Sequence, residues 1–417
     1  MKGKIDLFII SDIEHSSPRI SNLVYYLPPI YNVVWISAKP SEDINPEDYP
    51  EGFIEKINLI FFERGINLFS KGKSIEKKTI KNTNSKKSIF YFKIKRLIIN
   101  LILNLTIPDQ YFFTIRKYLK LFKTFYNPNK KTIVISSYPY ATPTIASFLI
   151  KRKFNSIKWI LDYRDLWAFN HNYSFSKIRQ KIDFHIERKI ISKADIVITV
   201  SNENRNILID QFDIKSKILL NGFSESIVDI NFQKEFQKNF LKEQKTYLLH
   251  VGTLSPEFQH LDLLFESDIL KNSNLEIHFL GRFSSILNEK IIEKKLTSKI
   301  KYIGRLNRNQ SIQIQKLYDG LVYFDSRYNS GVLLLKFFEY INANRPIISI
   351  GGVKESESKL ILRKLNRGII ISNKKQLDSF LVDIGKSFST LEFNEEKNKN
   401  YSYQNRSKEL RSIIDSL

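Results

Sequence analysis

Short, continuous apolar runs recur along this chain in two series, and nothing else constrains its fold as strongly. KIDLFIIS (4–11), NVVWISA (32–38), TIVISS (132–137), IKWILDY (157–163), DIVITV (195–200) and KILLN (217–221) make the first series. YLLHVG (247–252), LEIHFLG (275–281), KYIG (301–304), LVYFDS (321–326), PIISIG (346–351) and GIIIS (368–372) make the second. Runs without polar alternation are strands buried on both faces, the signature of parallel sheets. Helical stretches lie between them, such as 143–153, opened by Pro143, and 176–193. The alternation predicts an α/β protein of two Rossmann-like, doubly wound domains facing a cleft. Between the series, residues 226–245 are polar with no strand pattern and are expected to be a linker. The expected organisation is an N-terminal domain over 1–225, that linker, a C-terminal domain over 246–395, and a final polar helix over 396–417.

At 417 residues the chain can bury two full cores. Its lack of cysteine excludes disulfides, thiolate metal sites and cysteine nucleophiles, and suits a reducing compartment. The start, MKGKIDLFIISDIEHS, carries an apolar run of only about six residues, so it reads as a first strand rather than a signal peptide. No stretch of 18 apolar residues occurs, which argues against a membrane span.

One segment concentrates chemistry: SGVLLLKFFEYINANRPIISIGG, 330–352. Ser330 and Gly331 supply a turn and a helix start, and residues 332–341 are apolar almost all round, so a buried helix is expected there. Lys336 and Glu339 interrupt it. A carboxylate in a buried helix is costly unless donors or a cation meet it. One reading pairs Glu339 with Lys336 inside the helix. The other gives a nucleotide diphosphate to the helix start and its ribose to Glu339. Ligands of open α/β sheets bind beyond the carboxyl ends of the strands. Most chemical motifs of this chain follow a predicted strand, which places them around one cleft.

Several of these pieces together resemble the GT-B glycosyltransferases, above all glycosyltransferase family 4. They are Ser17-Pro18-Arg19, LDYRDLWAF (161–169), KADIVITVS (193–201), LLNGF (219–223), LLHVGTL (248–254), FLGR (279–282), YIGRL (302–306) and K-x-F-E-Y…R-P-I-I-S. The resemblance runs from about residue 4 to 372. It implies transfer of a sugar from a nucleotide-sugar donor to a saccharide or lipid-linked saccharide, with retention, in cell-surface glycan synthesis. It implies a donor site formed by Gly252, Thr253, Arg282, Ser330, Gly331, Val332, Leu333 and Glu339, with Glu339 similar to a ribose-binding carboxylate. Arg282, Lys336 and Asp165 are the expected catalytic residues. Arg19, Tyr138, Asp162, Arg164, Trp167 and His171 are expected on the acceptor side. His171 and His250 are candidates for acid/base or phosphate contacts. Helix N-termini and basic side chains can stabilise a leaving diphosphate, so neither metal nor cofactor is expected. Three departures stand out: Gly331 occupies a position that is commonly Glu, SDIEHSSPR lacks the glycine-rich loop after the first strand, and PEFQHLD (256–262) replaces a Lys-Gly pair. A GT-B protein without transferase activity is therefore a competing reading. A sugar-nucleotide epimerase is another, disfavoured because no acid/base carboxylate–histidine set is recognisable.

The formal net charge is +23. Residues 70–131 hold sixteen Lys/Arg and two acids, more than half of that excess. Within them IFYFKIKRLIINLILNL (89–105) mixes aromatics with Lys93, Lys95 and Arg96, and an apolar stretch runs through 97–107. It is too short and too charged to span, and it fits an interfacial helix on anionic lipid. The expected location is cytoplasmic, peripheral on the inner face of the membrane, beside a polyprenyl-linked acceptor. No helix-turn-helix, RRM or KH signature occurs, so nucleic acid is not an expected partner.

Overall fold

The computed structural model describes residues 5–16, 18–40, 49–63, 107–109, 111–170, 173, 175–225, 228–242, 245–253, 261–282, 285–327 and 331–417. His171, Ser330 and residues 70–106 of the basic segment lie outside the described residues.

Two fully parallel sheets form. The first has the order β3-β2-β1-β4-β5-β6-β7. Its strands are β1 (Ile5–Ile10), β2 (Tyr31–Ala38), β3 (Asn58–Phe62), β4 (Lys131–Ser137), β5 (Lys158–Asp162), β6 (Ile196–Thr199) and β7 (Ser216–Ile218). The second has the order β10-β9-β8-β11-β12-β13. It comprises β8 (Thr246–Val251), β9 (Leu275–Leu280), β10 (Ile300–Gly304), β11 (Gly320–Asp325), β12 (Ile347–Gly351) and β13 (Gly368–Ile371). Eleven of the twelve expected second- and first-series strands lie within a residue or two of their apolar runs, and KILLN is paired only at its start, as β7. The strand the sequence reading lacked is β3, NLIFF, an edge strand too short and too exposed to stand out as a buried run.

Order reverses between β1 and β4 in one sheet and between β8 and β11 in the other, and such switch points open crevices at strand ends. Each sheet is covered on both faces, which divides the apolar interior into four clusters. The segment expected as linker contains a helix, Ile230–Phe240, started by the Asp229 carboxylate on the Phe232 N–H. Phe236 docks it against Tyr318 of the second domain, so its sparse apolar residues suffice for a one-sided helix. The polar tail forms the Tyr403–Asp415 helix. Tyr403, Leu410, Ile413 and Ile414 pack with Leu7, Leu23 and Trp35 of the first domain. The chain crosses beside Gly222, where a Cβ would meet the Tyr401 carbonyl at 2.9 Å, so only glycine fits there.

The expected helix over 332–341 forms later, as Leu335–Ala343. Tertiary contacts hold the preceding residues extended: Leu333 is buried, and its carbonyl accepts from Asn221 Nδ2 at 3.3 Å. Leu334 has extended dihedrals. Apolar periodicity cannot distinguish a buried helical turn from such a strap.

Candidate active site

The carboxyl ends of β8, β9 and β10 and the start of the Leu335–Ala343 helix enclose a cleft of about 430 Å³. Gly252, Thr253, Arg282, Lys336 and Glu339 all line it, with Arg305, Arg308 and, from the first domain, Pro18. Two glycines let the strand ends close in. Gly252 has φ +111° and Gly281 φ +131°, and a Cβ on Gly281 would lie 2.6 Å from the Gly252 carbonyl oxygen.

The helix start carries no side-chain cap, and both Leu335 and Lys336 face the cleft. Uncapped N–H groups and the positive end of the helix dipole suit an anion. Lys336 reaches from this turn over the end of β8, where its Nζ lies 3.2 Å from His250 Nε2. Burial lowers the Lys336 pKa to about 8, against an opposing pull from Glu339. Arg282 and Arg305 have no hydrogen-bonding or ionic partner among the described residues. Among the described residues, Arg282 and Arg305 thus meet no carboxylate.

Glu339 is almost completely buried and accepts from Arg308 Nη2 at 2.7 Å. Its ionic partner is therefore Arg308, not Lys336 as the local reading had it. Arg308 could have been suspected: Asn307 and Gln310 form a capping box, which places Arg308 on the first turn of the Arg308–Gln315 helix. Its meeting with Glu339, 31 residues on, is tertiary and has no local signal.

Gly331, Val332 and Leu333 do not line this cleft. A Cβ on Gly331 would lie 2.7 Å from Ser201 Oγ, so this position is packed against the first domain. Expected at the donor site, these three residues stand apart from the described lining, because the late helix start makes them an interdomain strap.

The acceptor-side candidates divide sharply. Arg19 and Asp162 are fully buried. Arg19 Nη2 meets Asp162 Oδ1 at 2.9 Å, and its other donors reach Leu219 O, Leu220 O and Asn221 Oδ1 at 2.9–3.0 Å. Ser137 Oγ donates to the second Asp162 oxygen at 2.8 Å. The pair has no capacity left for a ligand, and its placement on the acceptor face is corrected to a structural knot tying β5 to the domain junction. Tyr138 and Trp167 are buried with rings stacked at 6.3 Å. Arg164 and Asp165 are partly exposed, 3.6 Å apart, and are not among the residues lining the donor cleft.

Sequence reasoning missed Glu187. This buried carboxylate accepts from Tyr163 Oη and from the backbone N–H groups of Trp167 and Ala168, which fixes the turn after β5. Burial raises its pKa to about 7. Its signal was weak, one acid among the charges of a solvated-looking helix. Among the described residues no group of acidic and histidine side chains could hold a metal.

This arrangement, two parallel doubly wound sheets with a basic cleft at the strand ends, defines a GT-B fold. No family model matches the chain, and no curated protein matches it. Solved structures match over almost its full length. HepE from Anabaena, in complex with UDP and glucose, superposes with a TM-score of 0.65 at 10% identity, over 99% of this chain and 100% of that one. Sucrose-phosphate synthase from Thermosynechococcus elongatus gives 0.64 at 11% identity, over 99% and 98%. A glycosyltransferase from Rickettsia africae gives 0.63 at 13% identity, over 100% and 99%. At such identities the likeness establishes the fold, and chemistry has to be argued from this chain's own side chains.

Proposed function

We propose that the protein is a glycosyltransferase that takes a sugar from a nucleotide-sugar donor to a saccharide or lipid-linked saccharide acceptor. The observation that carries this reading is the cleft itself: Lys336, Arg282 and Arg305 surround an uncapped helix start, and the Glu339 carboxylate lies one turn further in. A nucleoside diphosphate matches both features. Its phosphates suit the cations and the helix N-terminus, and its ribose diol offers two donors to Glu339. HepE has been solved with UDP and with UDP-glucose, which supports a donor of that type here.

In this mechanism the bond from the anomeric carbon to the diphosphate oxygen breaks, an acceptor hydroxyl oxygen bonds to that carbon and its proton passes to the departing diphosphate. Lys336 and the helix N–H groups stabilise the charge left on the leaving oxygen. Arg282 adds to that field. Arg308 holds Glu339 through one carboxylate oxygen and leaves the other for ribose. Among the described acceptor-side candidates, Arg164 and Asp165 are partly exposed. Retention at the anomeric carbon and kinship with family 4 belong to the same proposal, as does work in surface-glycan synthesis at the inner membrane face.

A basic face supports the membrane part. The Ile115–Phe125 helix buries Tyr118 and Phe122 and exposes Arg116, Lys117, Lys120 and Lys123. Among the described residues no helix is long and apolar enough to cross a membrane. Vesicles with anionic lipid should bind and release as salt rises.

A second reading, a GT-B protein that binds nucleotide without transfer, is favoured by one observation: Gly331 brings no carboxylate, and the strap that holds it is packed on Ser201. Thermal shift with UDP, GDP, ADP and CDP, and with their sugar esters, separates the outcomes. A ligand at 100 times its Kd should add about 2.7 kcal/mol of stability. No shift with any nucleotide defeats both readings, and a shift without release of nucleoside diphosphate in the presence of acceptors favours the second.

A further inference from the structure

Behind the cleft lining, Lys336 continues into a buried hydrogen-bonded chain whose other members, His250 and the Val322 carbonyl, have no part in the transfer reaction. His250, on β8, is completely buried between the rings of Phe279 and Phe324. Its Nδ1 lies 2.8 Å from the Val322 carbonyl on the neighbouring β11. A carbonyl can only accept, so Nδ1 carries the proton and donates. A neutral ring with its proton there has a bare lone pair on Nε2. Lys336 Nζ lies 3.2 Å from that atom, and an ammonium can only donate. The direction of the chain is therefore fixed from end to end: Lys336 donates to His250, and His250 donates to Val322.

We propose that His250 is a positioning residue for phosphate recognition, holding the Lys336 ammonium at the end of β8 through its Nε2 lone pair. This rests on the nucleotide-diphosphate reading of the cleft and deepens it. Lysine is a flexible point charge, and fixing it before the ligand arrives removes part of the ordering cost of binding. Gly252 completes the seat. A Cβ there would lie 3.2 Å from Nζ and 3.7 Å from both Cδ and Cε of Lys336.

The charged neighbours of the lysine set its titration. Glu339 on its own helix favours the ammonium, burial opposes it, and the Lys336 pKa falls to about 8. Arg282, Arg305 and Arg308 face the same cleft from the second domain. Burial first, and the Lys336 charge second, push the His250 pKa well below its usual value, so the ring stays neutral and remains an acceptor. Without that acceptor, the ammonium loses a hydrogen bond in a poorly solvated place and its pKa should fall further.

Two measurements test this. Isothermal titration with UDP or GDP, whichever the native protein binds, should give an affinity that declines above about pH 8. In His250→Phe the decline should begin about one unit lower, which weakens binding about tenfold at pH 9 and much less at pH 6.5. His250→Gln, which keeps an acceptor oxygen, should restore most of the wild-type profile. A folded His250→Phe protein whose profile matches the wild type overturns the proposal. The second measurement needs no His250 variant: ¹⁵N-histidine spectra of the native protein should show a neutral ring protonated on Nδ1 from pH 5 to 9, with an Nε2 resonance that moves in Lys336→Met. A ring protonated on Nε2, or one titrating near its ordinary value, overturns the proposal even if His250→Phe fails to fold. If the native protein binds no nucleoside diphosphate, the functional reading fails and the ligand role of the chain fails with it, whereas the spectra still decide whether the lysine is held.

Discussion

The two domains treat buried charge in opposite ways. In the first, Arg19 and Asp162 lie with no exposure, and each donor of the guanidinium has a named acceptor. In the second, Lys336, Arg282 and Arg305 converge on a cleft where the described residues supply one carboxylate, already engaged by Arg308. A saturated charge holds parts of a protein together, and an unsaturated one waits for a ligand. That contrast separates residues which the sequence presents alike, since both sets follow strand ends and both sit in motif-like contexts.

The largest effect should come from breaking the saturated pair. Asp162→Ala strands the buried Arg19 charge and should destabilise the protein by about 3–5 kcal/mol, read by denaturant unfolding. Nucleotide affinity of the remaining folded protein should change little. A loss of affinity without loss of stability would erase the distinction between the two regions.

Glu187 offers a second buried carboxylate, this time without a cation. Its pKa is raised to about 7, so the folded protein holds a proton that the unfolded chain releases near 4.5. The sign follows: this contribution is fully present below about pH 4.5 and is lost as pH rises through about 7. The loss should be on the order of 3 kcal/mol, and Glu187→Gln should flatten that part of the stability profile. A profile unchanged by the substitution would remove Glu187 from the account.

The cleft should behave in reverse. Glu339→Ala should weaken nucleotide binding by about 1.5–3 kcal/mol. Lys336→Met should weaken it too, yet stabilise the free protein. The lysine pKa falls from 10.5 to about 8, so the folded state resists the ammonium and native stability rises as pH climbs between those values. Replacing the lysine removes that penalty, worth about 1–3 kcal/mol once cleft water is allowed for. Equal losses of stability in Lys336→Met and Asp162→Ala would show that the lysine is structural after all.

The fold was legible because parallel strands buried on both faces leave unmistakable runs, and turn and cap residues punctuate them. β3 escaped because an edge strand need not be apolar throughout. Part of the cleft lining was legible for a related reason: Gly252, Thr253, Arg282, Lys336 and Glu339 sit at strand ends or in the first turns of a helix, places that topology directs to one side of a sheet. What escaped was pairing across the chain. Arg308 with Glu339, His250 with Lys336, and Arg19 with Asp162 are separated by 31, 86 and 143 residues, and no periodicity encodes such meetings. The strap at 331–334 escaped because its apolar residues suit a helix as well as an extended segment packed on the other domain.

The smallest effect should be at Arg305, and it sharpens the contrast most finely. Arg305 lines the cleft without a partner among the described residues, so its removal strands no buried charge. Arg305→Gln should therefore leave stability within about 0.5 kcal/mol of the wild type. Its guanidinium lies at an open edge, where attraction to a diphosphate is screened by water and salt. Nucleotide affinity should fall by about 0.5–1 kcal/mol at low salt, and the difference should vanish near 1 M, where the screening length is about 3 Å. Titrations of both proteins across ionic strength read this directly. A deficit that persists at high salt would mean that Arg305 makes a close, desolvated contact with the ligand. A deficit in stability instead would place Arg305 with Arg19, among the charges that hold the protein together.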